Sequence, residues 1–149
     1  MRLHLGSDHG GLALRALLAE VLSAAGHEIV GIAGPLEAGV SVDYPEVAVE
    51  LCRRVLADGA GTRGVLICGT GQGMAMSANK IAGIRAAVVS DCFSARMARE
   101  HNDANILCLG QRVLGDELAK LIVETFLAAD FEGGRHARRV AKLDAAGGS

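Results

Sequence analysis

Tryptophan is absent and aromatic residues make up only 3% of the 149 residues, although half of the chain is hydrophobic. Its core must therefore be aliphatic, built from Ala, Val, Leu and Ile, the usual filling of a parallel sheet covered by helices. No apolar run approaches the ~20 residues that a membrane-crossing helix needs. The opening Met1-Arg2-Leu3-His4-Leu5-Gly6 lacks the apolar centre and cleavage site of a secretory signal. These absences predict a cytoplasmic protein with no membrane partner. A one-signed charge excess is missing too: the formal net charge is −2, with no block of like charges. That leaves no electrostatic footprint for nucleic acid. Positive charge is local instead, at Arg135, Arg138, Arg139 and Lys142. The four cysteines, Cys52, Cys68, Cys92 and Cys108, show neither a C-x-x-C pair nor zinc-ligand spacing. In a reducing compartment they read as free thiols.

What is present is an alternation of short apolar runs with longer amphipathic ones. The length suits one domain, residues 1–149. Strands are expected near Leu3–Gly6, Glu28–Ile32, Val65–Cys68, Ala86–Val89 and Ile106–Leu109. The first helix carries a stripe of Leu14, Leu17, Leu18, Val21, Leu22 and Ala25, with Gly26 to end it. A second runs from about Pro45 to Asp58, a third from Met74 to Asn79, and a fourth from Ser94 to Glu100. A fifth, about Gly115 to Ala128, is expected to bury Leu118, Leu121, Ile122 and Phe126. A short sixth follows Gly133-Gly134, and the final 145–149 should fray. Strict β–α alternation predicts an α/β fold, a parallel sheet between two helical layers.

Ligands of such folds bind beyond the carboxyl ends of the strands. There the chain places Ser7-Asp8-His9-Gly10-Gly11, the loop to Asp43-Tyr44-Pro45, Cys68-Gly69-Thr70-Gly71-Gln72-Gly73, Ser90-Asp91 and Gly110-Gln111-Arg112. In the third of these, glycines let backbone N–H groups turn inward as a nest for an oxyanion or phosphate. The following helix start adds positive potential that favours a thiolate at Cys68. A cysteine in isolation is more often buried and inert, as Cys108 is expected to be; the glycine nest reverses that balance at Cys68. Thr70 either stabilises a developing oxyanion or caps the helix. The loop also excludes rivals. No arginine follows Cys68 within phosphatase spacing, no Gly-Lys-Ser/Thr makes a Walker loop, and the dinucleotide fingerprint is missing after the first strand.

Asp8-His9 reads either as a helix-capping aspartate with a surface histidine, or as Asp8 holding a ligand hydroxyl and His9 contacting a hydroxyl or phosphate. His101, at a helix end before the last strand, is the best proton shuttle near neutral pH. Arg112 follows the last strand on the active edge. Arg135 and Arg139 differ, because the fifth helix carries the chain back to the opposite edge. They would enter a neighbouring subunit's site more easily than their own. Four residues apart on a helix, they share one face and can grip a phosphate together.

Several segments in this order resemble the family of ribose-5-phosphate isomerase type B, which also holds allose- and galactose-6-phosphate isomerases. They are Gly6-Ser7-Asp8-His9-Gly10-Gly11, Asp43-Tyr44-Pro45, Ile67-Cys68-Gly69-Thr70-Gly71, Ala78-Asn79-Lys80, Gly83-Ile84-Arg85-Ala86, His101-Asn102-Asp103-Ala104-Asn105 and Glu132-Gly133-Gly134-Arg135-His136. The resemblance runs from Leu5 to about Val140. It implies a three-layer, Rossmann-like sandwich with a five-stranded parallel sheet, and a homodimer with two shared active sites, pairing into tetramers being left open. It also implies a metal-independent aldose–ketose isomerase of the carbohydrate and pentose phosphate pathways, interconverting ribose 5-phosphate and ribulose 5-phosphate. Cys68 would move the C2 proton, Thr70 and the amides of Gly69, Gly71, Gln72 and Gly73 would stabilise an enediolate, and His101 would open the sugar ring. Asp8, His9, Tyr44, Asn102 and Arg112, with Arg135 and Arg139 of a segment near 130–145 reaching the partner, would hold hydroxyls and phosphate. No histidine–carboxylate ligand cluster is evident, so neither metal nor cofactor is expected. Gly31-Ile32-Ala33-Gly34-Pro35-Leu36-Glu37-Ala38 departs from the family pattern, which keeps tetrose 4-phosphates, allose or galactose 6-phosphate, and a non-catalytic sugar-phosphate sensor as alternatives.

Overall fold

A computed structural model describes residues 1–147. The elements are β1 Arg2–Ser7, a 3-10 turn His9–Gly11, α1 Leu12–Ala24, β2 Glu28–Ala33, α2 Tyr44–Asp58 and β3 Arg63–Cys68. They continue with α3 Gln72–Ala78, β4 Ala86–Val88, α4 Cys92–Glu100, β5 Ile106–Gly110, α5 Asp116–Ala128 and α6 Arg135–Ala146. Five strands form one sheet in the order β2-β1-β3-β5-β4, and every pairing is parallel. This is the expected α/β/α sandwich. Among the described residues, no helix is long and apolar enough to cross a membrane.

The strands alternate their side chains between two cores, as a pleat of period two requires. Val65 and Ile67 of β3, with Leu107 and Leu109 of β5, join Leu14, Leu18, Ile122 and Phe126 on the α1–α5 side. Leu66, Cys68, Ile106 and Cys108 point the other way, to Val47, Leu51, Cys52 and Met74 of α2 and α3. Each fully buried Leu, Ile or Phe contributes ~1.5–3 kcal/mol relative to exposure, and most of them here are aliphatic.

Several details differ from the sequence reading. On α5 the buried set is Ala119, Ile122, Val123, Phe126 and Leu127, whereas Leu118 and Leu121 are exposed; the stripe is turned by about one residue, with Ala119 and Val123 taking the places expected for Leu118 and Leu121. On α1 the stripe narrows to Leu14, Leu18 and Leu22, and Arg15 is buried among them, its guanidinium donating to the carbonyls of Ala33 (2.8 Å) and Pro35. Gly26 does follow the helix, at φ +90°. The sixth helix is not short, and it continues through Ala146, so fraying does not begin at Ala145. Gly148 and Ser149 lie outside the described residues.

This topology fixes two edges. Leaving β1, the chain passes first to β2 on one side and later to β3 on the other. The switch point therefore lies between the carboxyl ends of β1 and β3, where a crevice for ligand is expected. Every helix that follows a strand runs back to the amino edge. Helix α6 stays there: Arg85, just before β4, donates to both carboxylate oxygens of Asp144, at 3.1 Å each.

Candidate active site

At the switch point, Ser7 of β1 pairs with Ile67 of β3, which sets Asp8 beside Cys68. The Asp8 amide donates to the Ile67 carbonyl at 3.3 Å. The Asp8 side chain, 8% exposed, accepts from the Gly10 amide at 2.9 Å and so caps the 3-10 turn. His9 is exposed, and its Nδ1 faces the Val42 amide at 3.5 Å, tying the loop before Tyr44 to this edge.

Cys68 ends β3, and its backbone carbonyl accepts from the Gln111 amide at 2.9 Å. The chain then turns sharply. Gly71 sits in the left-handed region at φ +82°, a conformation that penalises any side chain. That turn aims the Gly71 N–H at Cys68 Sγ, 3.1 Å away. The sulfur thus receives a backbone donor at the start of α3. The other two buried thiols are set by burial. Burial pushes Cys52 up to about 12, and burial, with Cys52 and Cys68 adding to it, holds Cys108 well above the usual thiol value. All four cysteines are free.

Thr70 is exposed, and its Oγ1 accepts from the Gln72 amide at 3.3 Å; it precedes the N-cap Gly71, and α3 has no side-chain cap. Gln72 is exposed beside it. Gly73 makes room for the Tyr44 ring: a Cβ there would lie 2.7 Å from ring carbon Cε2. The ring thus packs against the first turn of α3. Arg112 arches over Gly69, its Cδ 3.5 Å from where a Cβ would stand, and its amide donates to the Gly69 carbonyl at 3.0 Å. Gln111 turns away instead and accepts from the Leu14 amide at 2.9 Å. Cys68, Gly69, Thr70, Gly71, Gln72, Gly73, Asp8, His9, Tyr44 and Arg112 therefore gather at the carboxyl edge. Cys68 itself is only 5% exposed.

His101, Asn102, Arg135 and Arg139 do not join them. Helix α4 starts beyond β4 and runs back, so His101 ends it at the amino edge, ahead of β5. Cys68 lies beside Gly110, the last residue of β5. The two are thus separated by roughly the length of that strand, ~13 Å. A turn held by charge fixes His101 and Asn102. Asp103 takes φ +48°, the one non-glycine residue at positive φ among those described. Its carboxylate bridges Arg99 Nη1 at 2.8 Å and Arg85 Nη2 at 2.9 Å.

Asn102 lines a cavity of about 590 Å³ with Arg85, Ala86 and Leu143. Arg135 and Arg139 are exposed on α6 at the same edge. Two residues without an individual role in the sequence reading belong here as well. The His136 ring stacks on His101, centroids 4.1 Å apart and planes 9° from parallel, and Glu132 reaches both imidazoles. Burial first, then the charges of His101 and Arg135, hold His136 below the usual imidazole value. Both residues lie in the segment Glu132–His136 that carried the family resemblance; its motif was visible, the packing was not.

Fold and polar edge together are those of an α/β protein whose reactive side chains gather at the sheet's switch point. Residues 3–143 match the family Ribose/Galactose Isomerase. Ribose-5-phosphate isomerase B of Escherichia coli is 44% identical over 94% of this chain and 92% of its own length. D-erythrulose-4-phosphate isomerase of Pectobacterium atrosepticum is 40% identical over 93% of this chain and 90% of its own. The crystal structure of ribose-5-phosphate isomerase B from Mycoplasma genitalium with bound ribulose-5-phosphate superposes with a TM-score of 0.92 at 39% identity, covering 97% of this chain and 95% of that one. The chain belongs to the ribose/galactose isomerase family, as a sugar-phosphate isomerase of the ribose-5-phosphate isomerase B type.

Proposed function

We propose that the protein interconverts ribose 5-phosphate and ribulose 5-phosphate through an enediolate, with Cys68 as the base. Once the sugar is open, the Cys68 thiolate takes the C2 proton, and electrons move toward O1. The loop amides of Gly69, Gly71, Gln72 and Gly73, with Thr70, meet that developing charge. Cys68 returns the proton to C1, while a proton passes from O2 to O1, and the ketose results. Asp8, His9 and Tyr44 hold hydroxyls. No step calls for a metal ion.

The observation that carries this reading is the Gly71 N–H directed at Cys68 Sγ at 3.1 Å. It gives one of three buried thiols a donor, while Cys52 and Cys108 are held neutral by burial.

The separation of Cys68 from His101 points to a site built from two copies. The carboxyl edge of one protomer would supply Cys68, Asp8, His9, Tyr44, Thr70 and Arg112. The amino edge of its partner would supply His101 and Asn102 for ring opening, and Arg135 with Arg139 for the phosphate. Residues 1–149 then act as one isomerase domain of a cytoplasmic homodimer, with the segment near 130–145 serving the partner's site.

A tetrose 4-phosphate is the second substrate reading, favoured by the erythrulose-phosphate relative. Steady-state turnover of ribose 5-phosphate, erythrulose 4-phosphate and allose 6-phosphate, measured side by side, tests the choice. The highest kcat/KM is expected for ribose 5-phosphate. A higher value for another sugar replaces that substrate, and binding without conversion of any of them overturns the reading.

A further inference from the structure

His101, Glu132 and His136 converge from three chain positions that the backbone holds firmly. The His101 amide donates to Met97 O at 2.9 Å, the Glu132 amide to Glu100 O at 3.0 Å, and the His136 amide to Gly133 O at 3.0 Å. Glu132 Oε2 lies 3.5 Å from His136 Nε2 and 3.9 Å from His101 Nε2. Both separations are too long for good N–H···O bonds, so the three groups face one another without satisfying one another. One donor atom from each residue lies within 4.8 Å of the other two.

Two imidazoles, one carboxylate and an open fourth position make a donor set characteristic of Zn²⁺. Tetrahedral zinc, with bonds of ~2.0–2.1 Å, spaces its ligand atoms ~3.3 Å apart, close to the Glu132–His136 pair at 3.5 Å and tighter than the Glu132–His101 pair at 3.9 Å, so the three groups must draw together around an ion. One adjustment is needed: in parallel stacked rings the lone pairs run side by side. His101, whose side chain is 36% exposed, is free to rotate its ring toward the ion. Glu132, at 53% exposure, leaves the entry open to solvent.

We propose that His101, Glu132 and His136 form a binding site for a divalent transition metal, with Zn²⁺ the best match, and that its occupancy inhibits the isomerase. Coordination takes the lone pair with which His101 would move the ring-opening proton. The inhibition rests on the function proposed above; the binding does not.

The test uses the full-length protein, stripped with chelator and titrated with Zn²⁺ by calorimetry and with Co²⁺ by absorption spectroscopy. Expected are one ion per chain, cobalt d–d bands without a thiolate-to-cobalt band, and no response to Mg²⁺. Glu132→Gln, a conservative change at an exposed position, should weaken Zn²⁺ at least ~10-fold with circular dichroism unchanged. His101→Asn should do the same, and Cys68→Ser should retain the site. The absence of binding, affinity unchanged in both ligand variants, or a thiolate band lost in Cys68→Ser would overturn the site. Turnover of ribose 5-phosphate should fall in proportion to Zn²⁺ occupancy; full turnover at saturating Zn²⁺ would overturn the inhibition. A stripped enzyme that converts no sugar phosphate would refute the proposed function instead, and the metal titration would still decide the site.

Discussion

Cys68 and His101 stand at opposite ends of β5: Cys68 lies beside Gly110, its last residue, and His101 precedes its first, Ile106. In the proposed mechanism, a base and a ring-opening imidazole one strand-length apart would not serve one sugar phosphate within one chain. Under that proposal, pairing of protomers would be part of the chemistry. In an isologous dimer each site would take Cys68 from one protomer and His101 from the other. Mixing Cys68→Ala with His101→Ala protein then restores one intact site in every heterodimer. Each variant alone should keep at most about 1% of wild-type turnover, and equal mixing after subunit exchange should recover about a quarter of wild-type activity. Proven heterodimers without recovered activity would contradict shared sites.

The left-handed turn at Gly71 gives a second prediction. Alanine at φ +82° is strained, and its Cβ would lie 3.1 Å from the Leu109 carbonyl carbon. Gly71→Ala should cost about 1–2 kcal/mol and, by moving the amide off Cys68 Sγ, should lower kcat as well. Gly26→Ala is the control: φ is +90° and nothing lies within 4 Å of the new Cβ. It should lose stability by urea titration but keep kcat. Equal effects of the two on kcat would detach the Gly71 amide from catalysis.

Asp103 predicts a coupled loss. Arg99 is 4% exposed, and without Asp103 its remaining hydrogen-bond partner is the Ala104 carbonyl. Asp103→Ala also leaves an alanine at φ +48°. The variant should lose about 2 kcal/mol, a fall in Tm of ~4–8 °C. Asp103→Gly relieves the backbone strain but not the charge, so it should recover only part. Full recovery by glycine would assign the effect to the backbone alone.

Asp58 sets part of the acid limit of stability. Its carboxylate accepts from His4 Nε2 at 2.8 Å and pairs with Arg2 at 3.3 Å. The hydrogen bond from His4, then the charge of Arg2, hold this carboxyl below its usual value. A depressed folded-state value means the contribution is complete above the unfolded carboxylate value, near ~3.9. It is lost as pH falls through the lower folded value. Asp58→Asn should be less stable at neutral pH, and its stability should fall less steeply on acidification, the two curves converging at low pH. Parallel curves in urea titrations from pH 7 to pH 2 would contradict this.

Much of the fold was legible because its signals are local. Apolar runs such as Val65–Cys68 and Ile106–Leu109 are buried on both faces and so read directly as strands of a parallel sheet. The carboxyl-edge residues followed from strand ends alone. Helix rotation was harder: Leu118 and Leu121 are as apolar as Ile122, and only the tertiary packing of Ala119, Ile122, Val123 and Phe126 decides which face of α5 is buried. The placement of His101 had a usable signal. The reasoning that sent Arg135 and Arg139 to the opposite edge, that a helix after a strand runs back, applies equally to α4. The meeting of His101 with Glu132 and His136 had none, since it depends on the chain between α5 and α6 lying against the end of α4.

A thiolate base at Cys68 is tested most directly by kcat for ribose 5-phosphate in Cys68→Ala, with dimer and fold checked by sedimentation and circular dichroism. Losing a positioned base should lower kcat by about 10²–10⁴-fold while sugar-phosphate binding persists. A properly folded Cys68→Ala dimer that turns over at the wild-type rate would contradict it.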